Sequence, residues 1–252
     1  MVEVLNQHIS KAFSLYNGDS CEVIKGIPDA SIHFSIFSPP FASLYTYTAS
    51  DRDIGNVDNH DEFAAHMDFL IGDLFRVTMP GRLLSFHCMN LPTSKARDGI
   101  IGLSDFRGRL IRAFEAHGWI YHSEVCIWKD PVTAMQRTKA LGLLHKTIRK
   151  DSAMSRQGIP DYLVTMRKPG ANPEPIPHTH ESFPVTTWQK YASPIYNDDV
   201  PPDAWDCGLT FEHKGVTLAD RFQSPIWMDI NPSDTLQHRS ARESEDERHI
   251  CP

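Results

Sequence analysis

Residues Ser31 to Ser38 form a mostly apolar run that two consecutive prolines cut short, and no other stretch constrains the fold as much. Ile32, Phe34 and Ile36 alternate with His33, Ser35 and Phe37 before Pro39-Pro40. Proline has no backbone N–H to give a ladder and holds φ near −65°, so a central strand cannot run on through such a pair. The run therefore predicts a short buried strand whose carboxyl end is a rigid turn. A helical period follows. Phe63, Met67, Leu70, Leu74 and Val77 recur every third or fourth residue, with Asn59 or Asp61 as the cap and Pro80-Gly81 as the stop. Leu83 to Met89 reads as a second buried strand. Ser104 or Asp105 caps a second helix that runs to His117, with Leu110, Ile111 and Phe114 inward and Gly118 ending it. Trp119 to Trp128 and Asp161 to Arg167 are two further strands. Strand and helix signals in alternation imply an α/β domain with a mostly parallel sheet and crossover helices.

The character changes after Lys168-Pro169-Gly170. From Ala171 to about Ser233, nine prolines are interleaved with Trp188, Tyr191, Tyr196, Trp205, Phe211, Phe222 and Trp227. This is too aromatic for disorder and too punctuated for regular helices, so an irregular, loop-rich module is expected. Thr235 to Arg248 is highly charged and reads as a polar helix or linker. No apolar stretch approaches the roughly 20 residues that span a bilayer, and Met1 to Ser10 lacks a basic start followed by an apolar run. Cys21, Cys88, Cys126, Cys207 and Cys251 stand singly, without the close pairs of a zinc site or disulfide framework. A reduced, cytoplasmic protein with no membrane partner is expected. The net charge is −7, yet Lys129 to Lys168 holds nine Lys and Arg against three Asp and no Glu. A cationic segment inside an acidic protein suits a localised polyanion-binding face, and equally a solvated surface loop.

Ser38-Pro39-Pro40-Phe41 puts a hydroxyl, a stiff turn and an aromatic ring at the carboxyl end of a parallel strand, the edge where open α/β sheets bind ligands. Those residue types suit methylation of an exocyclic amine. The amine nitrogen must leave conjugation with its ring before its lone pair attacks a sulfonium methyl. Acceptors aimed at the amine hydrogens, here the Ser38 hydroxyl and the Pro39 carbonyl, favour that pyramidal nitrogen. Phe41 would stack on a base swung out of a duplex, a contact of about 1–3 kcal/mol. Taken as a bare tetrapeptide, the same residues also describe a Pro-Pro turn after a core strand.

The surrounding order resembles the DNA amino-methyltransferases, specifically the permuted group whose catalytic half precedes the cofactor half. Asn17-Gly18-Asp19 with Ile27-Pro28-Asp29-Ala30-Ser31-Ile32 is similar to that family's opening. Ser38 to Phe41 resembles its (D/N/S)PP(Y/F) motif, and Met79-Pro80-Gly81-Arg82-Leu83-Leu84 its entry into the next strand. Asp161 to Val164 with Arg167-Lys168-Pro169 resembles the strand before its target-recognition region. His249-Ile250-Cys251-Pro252 looks like the opening of its cofactor half. The resemblance implies a Rossmann-like S-adenosylmethionine-dependent methyltransferase sheet, incomplete here, with an irregular target-recognition module. It divides the chain into a catalytic α/β half (1–170, including a basic DNA-facing segment 129–168), a target-recognition region (171–233) and a polar segment (234–252) leading toward the cofactor half. It implies S-adenosylmethionine as cofactor, with Asp19 near its adenosine and Ser38 beside it, and Ser38, Pro39, Pro40 and Phe41 as catalytic residues. Double-stranded DNA is the implied partner, its backbone held by Lys139, Lys146, Arg149, Lys150 and Arg156. Asn-Gly-Asp is also a good plain turn, so Asp19 has a second reading.

The family's aromatic-x-Gly-x-Gly loop, which cradles the methionine end of the cofactor, does not occur in these 252 residues. The expectation is that this chain alone binds cofactor weakly and does not methylate, a second chain or a missing C-terminal half supplying the loop. Two functions follow: a site-specific DNA methyltransferase of cytosine-N4 or adenine-N6, with Ser38 leaning toward cytosine by family habit, or a non-catalytic DNA-binding remnant. Methylation of a protein glutamine or an RNA base ranks below both, the Asn-Pro-Pro-Tyr typical of protein-glutamine methylases being absent. No metal is assigned: His178-x-His180 lies in a proline-rich stretch without a helical HExxH frame, and His87 reads as a satisfied core histidine. No serine-hydrolase elbow and no phosphate-binding loop are present.

Overall fold

The computed structural model describes residues 4–41, 53–57, 60–129, 141–192 and 194, with the backbone of 212–213 and 216–217. An antiparallel hairpin comes first, β1 (Asn6–Ile9) pairing with β2 (Ser14–Asn17). Then come α1 (Ser20–Val23), β3 (Ile32–Phe37), α2 (His60–Val77), β4 (Thr78–Met89), β5 (Leu91–Thr93), α3 (Lys95–Asp98), β6 (Gly102–Ser104) and α4 (Phe106–Ala116). They are followed by β7 (Ile120–Ile127), α5 (His145–Lys150), β8 (Asp161–Arg167), α6 (Val185–Tyr191) and the small pair β9 (Glu212–His213) and β10 (Val216–Thr217). Four strands form the main sheet in the order β3-β4-β8-β7. The strands and helices read from the sequence up to Arg167 are present, and the α/β fold is as expected. No described helix is long and apolar enough to cross a membrane.

The expectation of a mostly parallel sheet needs correction, because the sheet is mixed. β3 and β4 run parallel, Ser35 opposite Leu84 and Phe37 opposite Phe86. Between β4 and β8, Gly81 N donates to Lys168 O at 3.0 Å and Lys168 N to Arg82 O at 2.9 Å, while the Ser85 and Thr165 hydroxyls lie 2.8 Å apart. Partners fall in number on one strand as they rise on the other, so these two are antiparallel. Arg167 and Lys168 thus return alongside the start of β4.

Pro80-Gly81 also differs from the sequence reading. The helix ends at Val77 and β4 begins at once, so the pair sits inside a strand. Ile32 pairs with Thr78 but Phe34 pairs with Leu83, which leaves extra β4 residues bulged between these contacts. Gly81 takes φ +73° there, and a Cβ on it would come within 2.6 Å of Asn172 N. Only glycine accepts both conditions. The sequence points to the right residue and to the wrong reason for it.

The chain forms two compact units. The first comprises Met1–His87, Gly108–Ser123 and Val164–Pro175; the second comprises Cys88–Arg107, Glu124–Leu163 and Ile176–Pro252. Within the first, Phe63, Met67, Ile71, Leu74 and Val77 are buried along α2, so Ile71 rather than Leu70 completes the inner stripe. Phe86 stacks on Phe114 with centroids 4.9 Å apart, and Trp119 meets both Phe114 and Phe75 edge-on. This aromatic core lies on the sheet face that carries Phe86 and its partner Phe37. On the other face Phe34 is 52% and Ile36 65% exposed. β3 is therefore covered on one side and not, as its apolar run suggested, buried on both.

Candidate active site

The loop that delivers β3 is held from the end of α2. Arg76 Nη1 donates to Asp29 Oδ1 at 2.6 Å and to Ile27 O at 2.9 Å, Nη2 to Ile24 O at 3.0 Å, and Nε to Asp73 Oδ1 at 2.8 Å. Hydrogen bonds to Asp29 and Asp73 raise the guanidinium's already high pKa, so it stays charged throughout. The reach of one side chain into two carbonyls fixes Ile24 to Asp29, and with it the start of β3.

β3 ends at Phe37, as the prolines require. Ser38 is exposed at the carboxyl end of the strand, Pro39 is buried, and Pro40 and Phe41 are partly buried. The parallel neighbour β4 brings His87 alongside. Ser38 Oγ lies 3.1 Å from His87 Nδ1, and the Phe41 ring centroid lies 5.6 Å from that of His87 at an interplanar angle of 54°. The register explains it: Phe37 is opposite Phe86, so the next residue on each strand faces its counterpart. The sequence reading assigned His87 to the core. It is half-buried and bonded, as a core histidine would be, but its partner is the motif hydroxyl. The missing signal was the register of the two parallel strands, which sets Ser38 beside His87, and pairing register is not visible in either strand alone.

Asp19 stands just after β2. Its carboxylate accepts from Cys21 N at 2.8 Å and caps α1. The plain-turn reading of Asn17-Gly18-Asp19 therefore describes a contact that is present, and the cofactor role stays a proposal.

In the second unit a cluster of polar groups surrounds a half-buried cation that the sequence reading missed. Arg107 Nη1 donates to Glu124 Oε1 at 2.5 Å, and its guanidinium lies 4.4 Å over the Tyr162 ring. Lys129 Nζ reaches Asp161 Oδ1 at 2.6 Å. Burial pushes the Cys88 thiol up to about 12 and raises Cys126 and Tyr162 as well. Cys88 is thus a neutral packing residue rather than a nucleophile. No spacing in the sequence links these positions, since they lie on separate segments. Among the described residues no group of His, Cys, Asp and Glu gathers as a metal site.

The basic residues proposed for DNA separate into three cases. Lys146, Arg149 and Lys150 are exposed on the short helix α5. Arg156 is half-buried. Its backbone N donates to Gly142 O at 2.8 Å, its Nη1 donates to Gln157 O at 3.0 Å, and burial lowers its pKa. Lys139 lies outside the described residues, as do segment 234–252 and, apart from short backbone pieces, the part beyond Pro194 of the region 171–233 expected to recognise the target. Within that region α6 is a short regular helix, and Phe183 stacks on its Tyr191 with centroids 5.9 Å apart.

No protein-family model and no curated protein sequence matches the chain. Solved structures do. A Thermus thermophilus protein, provisionally named a DNA modification methylase and complexed with S-adenosyl-L-methionine, superimposes with a TM-score of 0.53 at 21% identity, over 73% of this chain and 65% of that one. Its selenomethionine derivative gives 0.51 at 19% over the same shares. A weaker superposition, with a TM-score of 0.43 at 15% identity over 76% of this chain and 68% of that one, is to PvuII DNA methyltransferase, which is cytosine-N4-specific. The chain thus spans 65% of the length of the Thermus structures it matches. At these identities the likeness shows the fold alone: this chain shares an α/β fold with the Thermus protein, its own main sheet being small and mixed.

Proposed function

We propose that this chain carries the target-amine site of a DNA amino-methyltransferase. The observation that carries the proposal is the Ser38 hydroxyl at the end of β3, exposed, held against His87 and followed by two prolines and an aromatic ring, in a methyltransferase fold. The substrate is the exocyclic amine of a flipped-out base, cytosine-N4 ahead of adenine-N6. Ser38 Oγ and the Pro39 carbonyl accept the amine hydrogens, which turns the nitrogen lone pair out of the ring plane. Pro39 and Pro40 keep those acceptors from relaxing toward the planar ground state, so the interaction strengthens as the nitrogen becomes pyramidal. Phe41, braced on His87, gives the base a surface to stack on.

S-adenosylmethionine is the donor in this reading, and it supplies an electrophilic sulfonium methyl when bound. The residues present fit part of it. Asp19 is a carboxylate of the type that holds ribose hydroxyls, although one of its oxygens also caps α1. No aromatic-x-Gly-x-Gly stretch occurs in the 252 residues, so no described residue is assigned to the methionine end. Lys146, Arg149 and Lys150 supply the backbone contacts to DNA, and Arg156 braces the segment that carries them.

The test is methyl transfer from labelled S-adenosylmethionine to duplex DNA, followed by nucleoside digestion and mass spectrometry. The chain is assayed alone and with a polypeptide bearing the glycine loop. Label in N4-methylcytosine with the completed enzyme, lost in Ser38→Ala, is the expected result. Label only in methyladenine removes the cytosine assignment. DNA binding that cofactor leaves unchanged, with no transfer in either assay, establishes the non-catalytic reading instead.

A further inference from the structure

We infer that His87 is a positioning residue that sets the direction of the Ser38 hydrogen bond. The inference rests on the amine-site reading above and goes beyond it by naming what makes Ser38 an acceptor. A serine hydroxyl has one hydrogen and two lone pairs, and it rotates freely unless something claims the hydrogen. For Ser38 to draw an amine hydrogen, its own hydrogen must point elsewhere. His87 Nδ1, 3.1 Å away, is placed to accept it.

The choice of tautomer decides the outcome. With the ring proton on Nε2, Nδ1 is a bare acceptor, so Ser38 donates to it and both lone pairs of Oγ remain for the amine. With the proton on Nδ1, histidine donates to Oγ, one lone pair is lost, and the serine hydrogen turns outward. An outward hydrogen would bond the amine's lone pair, the electrons needed for attack on the methyl. The two tautomers therefore give opposite sites from the same heavy atoms, and the proposed chemistry requires the Nε2–H form. Phe41 adds a second constraint: its ring against the imidazole limits rotation of the histidine that would carry Nδ1 away from Ser38.

Asparagine and phenylalanine separate this role from packing. Asparagine places its side-chain oxygen near where Nδ1 stands, and so keeps the acceptor while losing the ring. Phenylalanine keeps a ring against Phe41 and loses the acceptor. We expect His87→Phe to lower kcat by more than about tenfold with KM for DNA little changed, since the defect lies in orientation. His87→Asn should recover most of that loss. Equal losses in both variants, or a loss confined to KM, overturn the inference.

A direct measurement does not depend on turnover. Long-range ¹⁵N–¹H spectra of the histidine-labelled full chain should show His87 with an unprotonated Nδ1, whose resonance moves when Ser38 is changed to Ala. A protonated Nδ1, or an Nδ1 resonance indifferent to Ser38→Ala, overturns the inference even in an active enzyme. If no methyl is transferred in either assay, with the wild-type chain alone or completed, the amine-site reading fails, and the spectra still decide whether His87 directs the Ser38 hydroxyl.

Discussion

Lys168 Nζ donates to the carbonyl of Phe75 at 2.6 Å while lying 4.7 Å from the centroid of the Phe75 ring, and it also donates to Thr78 O at 2.7 Å. A residue just past β8 thereby satisfies the carbonyls left open where α2 gives way to β4, with its charge at the negative end of the helix. Thr78 Oγ1 adds a bond to Leu74 O at 2.7 Å. Lys168→Met keeps the apolar stem and removes the ammonium donors. A loss of about 2 kcal/mol is expected, the range for charge-assisted bonds to half-buried carbonyls. Urea unfolding measures it, and an unchanged midpoint would show that water replaces the ammonium.

Gly81 and Gly99 both take φ +73°, but their surroundings differ. A Cβ on Gly81 would meet Asn172 N at 2.6 Å and Gly170 O at 2.9 Å, both backbone, whereas one on Gly99 meets nothing within 4 Å among the described residues. Gly99→Ala should therefore cost about 1 kcal/mol, the penalty of left-handed backbone. Gly81→Ala should cost at least about twice as much, because the β4 bulge must also open. Thermal unfolding of the two variants side by side separates conformation from collision, and equal shifts would contradict the close packing at the bulge.

Burial holds the Cys88 thiol up to about 12 against an ordinary 9.0. Between those values the folded chain keeps a proton that the unfolded chain releases. Its contribution to stability is therefore complete below about pH 9 and declines as pH rises toward 12. Cys88→Ala should flatten the alkaline fall in stability between about pH 9 and about 10.5, measured by urea unfolding at each pH. In the folded protein at about pH 8.5, iodoacetamide should modify Cys88 more than about tenfold more slowly than the less buried Cys21, since the thiolate is the nucleophile. Comparable labelling rates would place Cys88 at a mobile strand end.

Much of this was legible in the sequence, for definite reasons. The stop at Pro39-Pro40 and the period of α2 are local signals, and local physics enforces them. The motif's place at a strand end follows from proline alone. What stayed hidden was relational. His87 lies beside Ser38 only because β3 and β4 pair with Phe37 opposite Phe86. The direction of β8 turns the expected parallel sheet into a mixed one, yet DYLVTMR reads the same in either sense. Apolar alternation likewise marked β3 as a strand without saying that Phe34 and Ile36 lack cover. The Arg107, Glu124 and Tyr162 group is assembled from distant segments and leaves no spacing to find. Sequence order suggested a use for the Ser38 turn, whereas the His87 contact emerged only from packing.

The basic segment gives a prediction whose sign depends on exposure. Lys146, Arg149 and Lys150 extend from α5 into solvent, whereas Arg156 lies near Gly142, where an added Cβ would come within 3.0 Å of its Cγ. If the exposed three bind phosphates, each releases counterions, and removing one lowers the slope of log Kd against log salt by about 0.9. Gln at all three positions should then weaken duplex binding at about 50 mM salt and reduce that slope by about two to three, with little change in stability. Arg156→Ala should do the reverse, because its guanidinium is committed to the chain: unfolding shifts, and the salt slope of the protein that remains folded does not. Fluorescence anisotropy with a short duplex across a salt series reads both. A triple variant with the wild-type slope would remove α5 from the DNA interface, and a reduced slope in Arg156→Ala would show that this side chain leaves Gln157 O when DNA arrives.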